Sequence, residues 1–413
     1  MRHTTLKGIL LATLAVVFVG CKDFLDKNPD MRATIDSKEK VQKLLVSAYM
    51  DYSFAAVCET SSDNIIDNNS PNPDNGEFYN KAALSQFYDE LFAWDDVVSS
   101  NQQDSPYSIW TGCYSSIAVA NQALKAIETL EAEGINMDAE RAEALLCRAY
   151  HHFLLVNIFC QAYKDSVLSE NDLGIYYMKE PETIVSGYYP RTTVAETYRH
   201  IQADLEEALP IVSDEYYNVP KYHFNAQAAN AFAARFYLFK RDYDKVIACA
   251  NNVLGTTAAE AASMMFDASH ARLETSYPTS EVYAWIDASS NSNLLLRTSV
   301  SSYFYSILSS YGRYQFNRDA RTYTVQSSGP CWTSRFPGFN VWSNDSNLGS
   351  FVAKFWYFFE YSDKVAGIGF VRGMHRDFTA NETLLCRAEA KIFKNDFDGA
   401  LSDLQRSEEH TSE

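Results

Sequence analysis

The sequence predicts a mainly α-helical protein, a scaffold of tetratricopeptide-like helical hairpins with long loop-rich insertions and a few short strands. Two observations support this fold class. Apolar residues recur at helical spacing in segments spread over the whole chain. In addition, two short sequences within those segments occur twice, as expected when a helical hairpin is repeated.

The earlier helices are indicated by apolar stripes and by start signals. Asp36 and Glu39 have the spacing of a capping box, which predicts that a helix begins there. Thr193 and Glu196 have the same spacing and open another helix, which ends before Pro210 because proline cannot continue it. Two further stripes lie between them and consist of Trp110, Tyr114, Ile117, Asn121, Leu124 and Ile127, and of Leu145, Ala149, Phe153 and Val156.

The later helices contain the repeated sequences. The run Leu-Leu-Cys-Arg-Ala occurs at 145–149 and again at 384–388, and the segment 239–244 is echoed by 393–398. In the second pair a helix ends, polar residues turn the chain, and an aromatic residue opens the returning helix. The spacing predicts four helices in this half of the chain, over 226–239, 243–254, 381–393 and 397–404.

Three insertions, at about 58–103, 162–191 and 255–381, interrupt this scaffold. The first contains 61–76, which is rich in Asp, Asn, Ser and Pro and is typical of turns and exposed loops. The third is dense in aromatic residues and serine, and we expect short strands there, for example around 282–286. Loops of this length inside a compact domain are usually functional, so we expect them to hold the ligand-binding site.

The N-terminus predicts export and lipid attachment. Arg2 and Lys7 precede an apolar stretch over 9–19 that is too short to span a bilayer permanently. This pattern is typical of a secretory signal peptide, which we assign to 1–20. Cys21 directly follows a small residue, as in a bacterial lipoprotein signal, so we expect it to be the lipidated first residue of the mature protein. The alternative is an ordinary signal peptide with a cysteine nearby.

The last eight residues, 406–413, interrupt the apolar periodicity of the helix before them. They read like the translation of a sequencing-library adapter, and a charged natural tail is the alternative. We therefore assign the folded domain to 21–405. If the adapter interpretation holds, the natural chain continues beyond Gln405.

The amino-acid composition of the chain limits the kinds of molecule that we expect it to bind. The chain has 53 acidic and 35 basic residues and a formal charge of −18, with no stripe of Lys and Arg, which argues against nucleic-acid partners. Uncharged ligands are more natural, and 27 Tyr, 25 Phe and 6 Trp favour binding surfaces. The cysteines after Cys21 form no C-x-x-C pair, so neither a disulfide scaffold nor a zinc ribbon is expected. Four of them lie in apolar helical segments, where we expect small buried side chains: Cys113, Cys147, Cys249 and Cys386.

We find no convincing catalytic, cofactor or metal motif. A Walker A loop, a G-x-S-x-G elbow and an H-E-x-x-H helix are all absent from the sequence. His151 and His152 are adjacent and so diverge on a helix rather than share a ligand. Asp63, Asp67 and Asp74 could hold a hard cation, but their spacing does not match an EF-hand and favours a solvated loop. No pair of carboxylates stands out as the acid and base of a glycosidase.

The aromatic residues of the insertions are the better candidates for a site. A neutral sugar offers C–H faces on which flat rings stack, and hydroxyl groups that bond to polar side chains. Aromatic residues of the third insertion that could stack on a sugar include Tyr303, Tyr305, Tyr314 and Phe339. The candidate ligand contacts are Asp63, Trp94, Asn101, Tyr311, Trp332 and Trp342.

Seven motifs follow one another along nearly the whole processed chain. They are Cys21-Lys22-Asp23-Phe24-Leu25-Asp26, Trp110-x3-Tyr114-x2-Ile117-x3-Asn121-x2-Leu124, Arg148-Ala149-Tyr150-x2-Phe153-x-Leu155, Arg191-x-Thr193-x3-Thr197-Tyr198-x2-Ile201-x2-Asp204-Leu205, Ala228-Ala229-x4-Ala234-Arg235-x-Tyr237-Leu238, Asn317-Arg318-Asp319-x-Arg321 and Leu385-x-Arg387-Ala388-Glu389-Ala390. In this order and behind a lipoprotein signal, they resemble the SusD/RagB outer-membrane lipoproteins of Bacteroidetes-type bacteria.

The resemblance implies a mostly helical fold with four tetratricopeptide-like units and loops that carry the ligand. It implies a non-catalytic, surface-exposed binder that captures a glycan, or a peptide in some relatives, and delivers it to a SusC-like TonB-dependent transporter. The chain departs from the family because it stops soon after the motif at 385–390, where the family continues. Trp94 and Asn101 match the aromatic site of the starch-binding member by position only. A glycoside hydrolase and a helical-repeat adaptor that binds only protein are the rival functions.

Overall fold

The structure, a computed structural model, describes residues 35–63, 65–69, 85–97, 102–184, 187–266, 278–304, 313–315 and 357–412. All elements named below belong to one compact unit that begins at Ser37. The α-helices in these ranges are α1 (Lys38–Leu45), α2 (Ala55–Thr60), α3 (Gln86–Ala93), α4 (Pro106–Ala132), α5 (Asp138–Phe159), α6 (Val194–Ala208), α7 (Ala226–Lys240), α8 (Tyr243–Leu254), α9 (Ala258–Ser263), α10 (Pro278–Trp285), α11 (Ala380–Phe393) and α12 (Phe397–Ser412). The strands are β1 (Ile66–Asp67), β2 (Asn293–Val300), β3 (Tyr314–Gln315), β4 (Tyr357–Asp363) and β5 (Ile368–Thr379).

The scaffold is helical, which confirms the predicted fold class. Helices pack in consecutive pairs, α4 on α5, α5 on α6, α7 on α8 and α11 on α12. Tyr150 and Phe153 of α5 contact Phe232 of α7, with ring centroids 5.4 and 5.6 Å apart. Tyr150 also lies 5.2 Å from the ring of Phe378 at the end of β5. One aromatic core therefore joins the helices to the sheet.

Most predicted helices form where the apolar spacing placed them. Helix α8 has the predicted limits, α7 ends one residue late, and α11 starts one residue early. Helix α12 continues to Ser412, beyond the predicted end at 404. Thr193 caps α6 as predicted, because its hydroxyl accepts a hydrogen bond of 3.0 Å from the N–H of Glu196.

The prediction of a capping box at Asp36 is wrong. Helix α1 begins one residue later, and its N-cap is Ser37, whose hydroxyl accepts from the N–H of Lys40 at 3.4 Å. Serine and aspartate are comparable N-cap residues, so either Asp36 or Ser37 could begin the helix. The capping-box spacing favoured Asp36, which is not the N-cap.

A three-stranded antiparallel sheet, ordered β2-β5-β4, forms within the third insertion. The strand predicted around 282–286 is not part of it, because that stretch is the end of α10 and the turn after it. Val282 and Ile286 lie one helical turn apart and are both buried, against Trp285, Phe358 and Met374. The short apolar run therefore matches a helix that buries one face, an ambiguity that periodicity alone does not resolve.

Two buried carboxylates attach the loops to this sheet. Asp377 of β5 binds Arg297 of β2 through two hydrogen bonds of 2.6 and 3.2 Å, and Arg297 also donates to the carbonyl of Met50 at 2.8 Å. Asp104, just before α4, accepts from the hydroxyl of Ser301 at 2.8 Å and from the N–H of Ser302 at 2.6 Å. The end of β2 is thereby fixed beside the start of α4, near the predicted ligand-binding insertions.

Candidate functional site

An exposed tryptophan terminates α3 inside the first insertion. Trp94 is the C-cap of that helix and has the left-handed backbone angles φ 59° and ψ 31°. Glycine usually takes this position, because a side chain costs roughly 1–2 kcal/mol there. Nevertheless 79% of the Trp94 side chain is exposed to solvent. Strained backbone is found preferentially at functional sites, so this residue is a candidate ligand contact.

A two-stranded ribbon next to α3 joins parts of the chain that are far apart in sequence. Strands β1 and β3 pair antiparallel, with Asp67 opposite Tyr314. The N–H of Asn68 donates to the carbonyl of Arg313 at 2.9 Å, and its amide donates to Gln315 Oε1 at 2.9 Å. The ribbon therefore connects the first insertion to the third.

Arg313 is the centre of a charged network on this ribbon. Its Nε and Nη2 donate to the two carboxylate oxygens of Asp67 at 2.9 and 2.8 Å, and Nη1 donates to Asp89 of α3 at 3.0 Å. Such bidentate pairs fix geometry as well as charge. Burial is the largest influence on Asp67 and opposes its ionisation, but the hydrogen bonds from Arg313 and from the N–H of Asn69, together with the charge of Arg313, lower the pKa of that carboxyl. The same hydrogen bonds, which Arg313 donates to Asp67, raise the pKa of Arg313, so both groups stay charged.

Tyr314 completes the contact between the ribbon and α3. Its hydroxyl donates to Asp89 at 2.5 Å, and its ring stacks on Phe92 with centroids 4.5 Å apart at 23°. Burial, followed by the Asp89 carboxylate, raises the pKa of Tyr314. We call the surface formed by Asp67, Asp89, Trp94, Arg313 and Tyr314 the Trp94 platform. Its exposed ring, Trp94, ends the helix that carries Asp89.

Comparison with known proteins identifies the family. A family model described as SusD-like, "Starch-binding associating with outer membrane", matches residues 23–238, more than half of the chain. The chain belongs to the SusD-like family. This confirms the resemblance found in the sequence motifs. No curated protein matches the chain.

Solved structures show the same SusD-like fold. A SusD superfamily protein from Bacteroides fragilis is 18% identical, with a TM-score of 0.60 over 91% of this chain and 80% of that one. A putative sugar binding protein from Bacteroides vulgatus ATCC 8482 is 19% identical, with a TM-score of 0.61 over 91% and 79%. Surface glycan-binding protein A from Bacteroides uniformis is 14% identical, with a TM-score of 0.59 over 91% and 81%. At these identities the likeness establishes the fold and not the ligand.

The described part of this SusD-like chain contains two of the six predicted ligand contacts. Trp94 lies on the platform, and Asp63 is exposed in the turn that follows α2. The other four predicted contacts lie outside the described residues: Asn101, Tyr311, Trp332 and Trp342. The interpretation of Tyr314 as a stacking ring is wrong, because this side chain is buried against Phe92. Its hydroxyl and its ring hold α3 in the platform instead.

The sequence reasoning missed Arg313, Asp89 and the role of Asp67. Asp67 was considered only as part of a cation site, whereas the structure commits its carboxylate to Arg313. These two residues are 246 positions apart, and no local pattern links them. Arg313 is one of several arginines in the aromatic-rich third insertion, and nothing in the sequence identifies its partner.

The described residues show neither a metal-binding cluster nor a membrane-spanning helix. No group of three or more His, Cys, Asp or Glu side chains is arranged to hold a metal ion among the described residues. His151 and His152 are fully buried, and burial lowers the pKa of His151 to about 4 and that of His152 well below its ordinary value. Among the helices described, none combines the length and the apolar character that crossing a membrane requires.

Proposed function

We propose that this SusD-like chain is a non-catalytic glycan-binding lipoprotein of the cell surface. In this proposal it is anchored through Cys21 after removal of 1–20, with 21–405 as the binding domain and 406–413 foreign to it. It captures oligosaccharides on its loops and delivers them to a SusC-like TonB-dependent transporter in the outer membrane. The match to a family described as starch-binding and outer-membrane-associated supports this, as does the fold shared with a protein called a surface glycan-binding protein.

The exposed ring of Trp94 is the observation that carries the proposal. A pyranose ring has an apolar face that stacks on a flat aromatic surface, and each such contact adds about 0.5–1.5 kcal/mol beyond area burial. The strained helix end keeps this ring in solvent, while the charged network of Arg313 holds the surrounding loops.

Capture without catalysis requires modest affinity, since the sugar must be released to the transporter. A single exposed stacking contact provides modest affinity, and tethering beside a transporter would raise the local concentration. The platform carboxylates, Asp67 and Asp89, are held by Arg313 and are not free to act as an acid and a base.

Affinity electrophoresis tests this proposal. The purified chain would be run through native gels that contain soluble starch, galactomannan, arabinoxylan or polygalacturonate, beside Tyr107→Ala. Tyr107 is a matched control because it is also an exposed aromatic residue, 57% exposed, and it lies outside the platform. We expect at least one neutral polysaccharide to retard the chain and the Tyr107→Ala variant equally, without release of reducing ends.

Other results would contradict parts of the proposal. Migration unaffected by every polysaccharide would overturn glycan capture, and retention on mixed oligopeptides would then favour a peptide binder. Release of new reducing ends would favour a hydrolase. Delivery is tested separately by co-purification of the lipidated chain with a barrel transporter from outer membranes. If no transporter co-purifies, the delivery step is contradicted and glycan capture is not.

A further inference from the structure

An aromatic cleft lies between α4 and the segment 173–191, on a different part of the molecule from the Trp94 platform. Its volume is about 470 Å³, within the range of roughly 300–1,000 Å³ usual for small-molecule sites. Trp110, Tyr114 and Ala118 lie one turn apart and form the wall on α4. The opposite wall is formed by Tyr176, Met178, Glu180, Glu182, Tyr189 and Arg191. None of these residues belongs to the Trp94 platform.

The cleft is held open by hydrogen bonds that fix both walls. The hydroxyl of Tyr114 donates to the carbonyl of Tyr176 at 2.9 Å, and the amide of Asn121 donates to the carbonyl of Met178 at 3.0 Å. Arg191 joins the two ends of the segment, because its Nε donates to the carbonyl of Gly174 at 2.7 Å. A Cβ at Gly174 would lie 2.4 Å from the carbonyl oxygen of Thr193, so glycine is required for this closure. The walls are therefore preorganised.

The rings of the cleft remain accessible. Trp110 is 37% exposed, although its ring also packs edge-on against Phe159 at 5.2 Å. The rings of Tyr176 and Tyr189 lie 5.0 Å apart at 47° on the other wall. Aromatic surfaces facing a solvent-filled gap of this size suit a flat, partly apolar ligand.

The polar groups of the cleft include acceptors and a donor. The carboxylate of Glu180 is exposed, and that of Glu182 accepts from the hydroxyl of Tyr189 at 2.6 Å. Arg191 uses Nε and Nη2 for hydrogen bonds, while its Nη1 has no hydrogen-bond partner among the described residues. A cation would need acceptors only and an anion donors only, whereas a sugar hydroxyl both donates and accepts.

We propose that this cleft is a second sugar-binding site, which takes a neutral sugar unit of the glycan captured at the Trp94 platform. The inference rests on the proposed function, because it assumes that the ligand is a glycan. Two separate contacts on one polysaccharide chain raise avidity without any change in either site. The two carboxylates disfavour uronic acid units, because like charges repel.

The test compares four purified chains in native gels with the four polysaccharides named above: wild type, Trp94→Ala, Trp110→Ala and the double variant. Tyr107→Ala is the control, since Tyr107 is exposed on the same helix and does not line the cleft. Glu180→Gln is a second probe, because an exposed carboxylate is replaced without loss of packing. We expect each tryptophan variant to lose several-fold in affinity for a neutral polysaccharide, the double variant to lose all retardation, and Glu180→Gln to weaken binding.

The outcomes separate this site from the platform. Wild-type affinity in both Trp110→Ala and Glu180→Gln would show that the cleft is not a sugar-binding site, and it would leave the proposed function intact. Retardation by polygalacturonate that depends on Trp110 would overturn the neutral-sugar assignment. Binding that survives Trp94→Ala and is lost in Trp110→Ala would support the cleft and contradict the platform. Absence of retardation for every chain would overturn both proposals together.

Discussion

The two copies of Leu-Leu-Cys-Arg-Ala, on α5 and on α11, occupy different surroundings although their sequences are identical. In both copies the first leucine, the cysteine and the alanine are buried. The second leucine differs, because Leu146 is fully buried and Leu385 is 46% exposed. Helix α5 lies among α1, α4, α6 and α7, whereas α11 lies among α7, α8, α12 and the strand β5. The same sequence therefore builds an interior helix or a boundary helix according to its neighbours.

The arginine of each copy makes the same set of contacts. Arg148 binds Asp204 of the following helix with hydrogen bonds of 2.7 and 2.8 Å, and its Nη1 donates to Asn121 of the preceding helix at 3.1 Å. Arg387 binds Asp403 at 3.0 and 2.8 Å and donates to Asn251 of α8 at 2.9 Å. We call each set of three residues a clamp. Each clamp joins three helices, α4, α5 and α6 in the first copy and α8, α11 and α12 in the second, which makes it a structural signature of the repeat.

Removal of one clamp carboxylate gives the largest expected effect. Asp204→Ala leaves Arg148 buried without its counter-charge and should cost about 3–5 kcal/mol of unfolding free energy. Asp403→Ala should cost a similar amount, since Arg387 is buried to the same degree. Denaturant unfolding of both variants measures this, with Asp204→Asn and Asp403→Asn as milder controls. A cost below about 1 kcal/mol in one copy alone would show that the clamps are not equivalent.

Truncation of the second leucine sharpens the contrast between the copies. Leu146→Ala removes a fully buried side chain and should cost about 2–5 kcal/mol, because a cavity remains. Leu385→Ala removes a half-exposed side chain and should cost under about 1 kcal/mol. The denaturant concentrations at the midpoint of unfolding of Leu146→Ala and Leu385→Ala measure this difference. Equal losses would mean that α11 is covered by further protein in solution.

Acid should weaken the first copy more than the second. His151 and His152 follow Arg148 in α5, whereas Ala390 and Lys391 take the corresponding places in α11. Burial lowers the pKa of His151 from 6.5 to about 4, so between these pH values the unfolded chain binds a proton that the folded chain does not. Stability should therefore fall as pH decreases from 6.5 towards 4, by up to about 1.4 kcal/mol per pH unit for each such histidine.

Unfolding free energies measured between pH 7.5 and 4.5 test this dependence. His375 in the sheet is partly buried, and desolvation lowers its pKa to about 3, so it contributes with the same sign. His152→Gln should make the unfolding free energy depend less steeply on pH, by the contribution of one proton. This holds whatever the substitution does to stability at neutral pH. A slope unchanged by His152→Gln would contradict the account, because the α5 histidines would then not be the source.

The scaffold was predictable from sequence because its helices follow local rules. Apolar spacing identified α7, α8 and α11 to within one residue, and the repeats pointed to the related places of Arg148 and Arg387. The clamp partners were not predictable, since Asp204 lies 56 positions from Arg148 with no pattern between them. The stripe on α4 predicted packing, which holds for Ile117 but not for the partly exposed Trp110.

The candidate site was predictable only in part, for the same physical reason. Trp94 was selected as an aromatic residue in a polar insertion, and the structure leaves it exposed. Its supporting network depends on the pairing of β1 with β3, which are about 250 residues apart, and such non-local contacts leave no periodic signal. The strained helix end at Trp94 was likewise invisible, because nothing in the sequence marks a tryptophan for a position that favours glycine.

Calorimetric titration of Trp94→Gly tests the central claim most directly, with the neutral polysaccharide that retards the wild type. Glycine suits the left-handed position of residue 94, so this variant loses the ring without added backbone strain. The account predicts a Trp94→Gly chain that melts no lower than Trp94→Ala, with affinity for the polysaccharide reduced several-fold, as in Trp94→Ala. Wild-type affinity in Trp94→Gly would contradict it, because the exposed ring would then not bind the sugar.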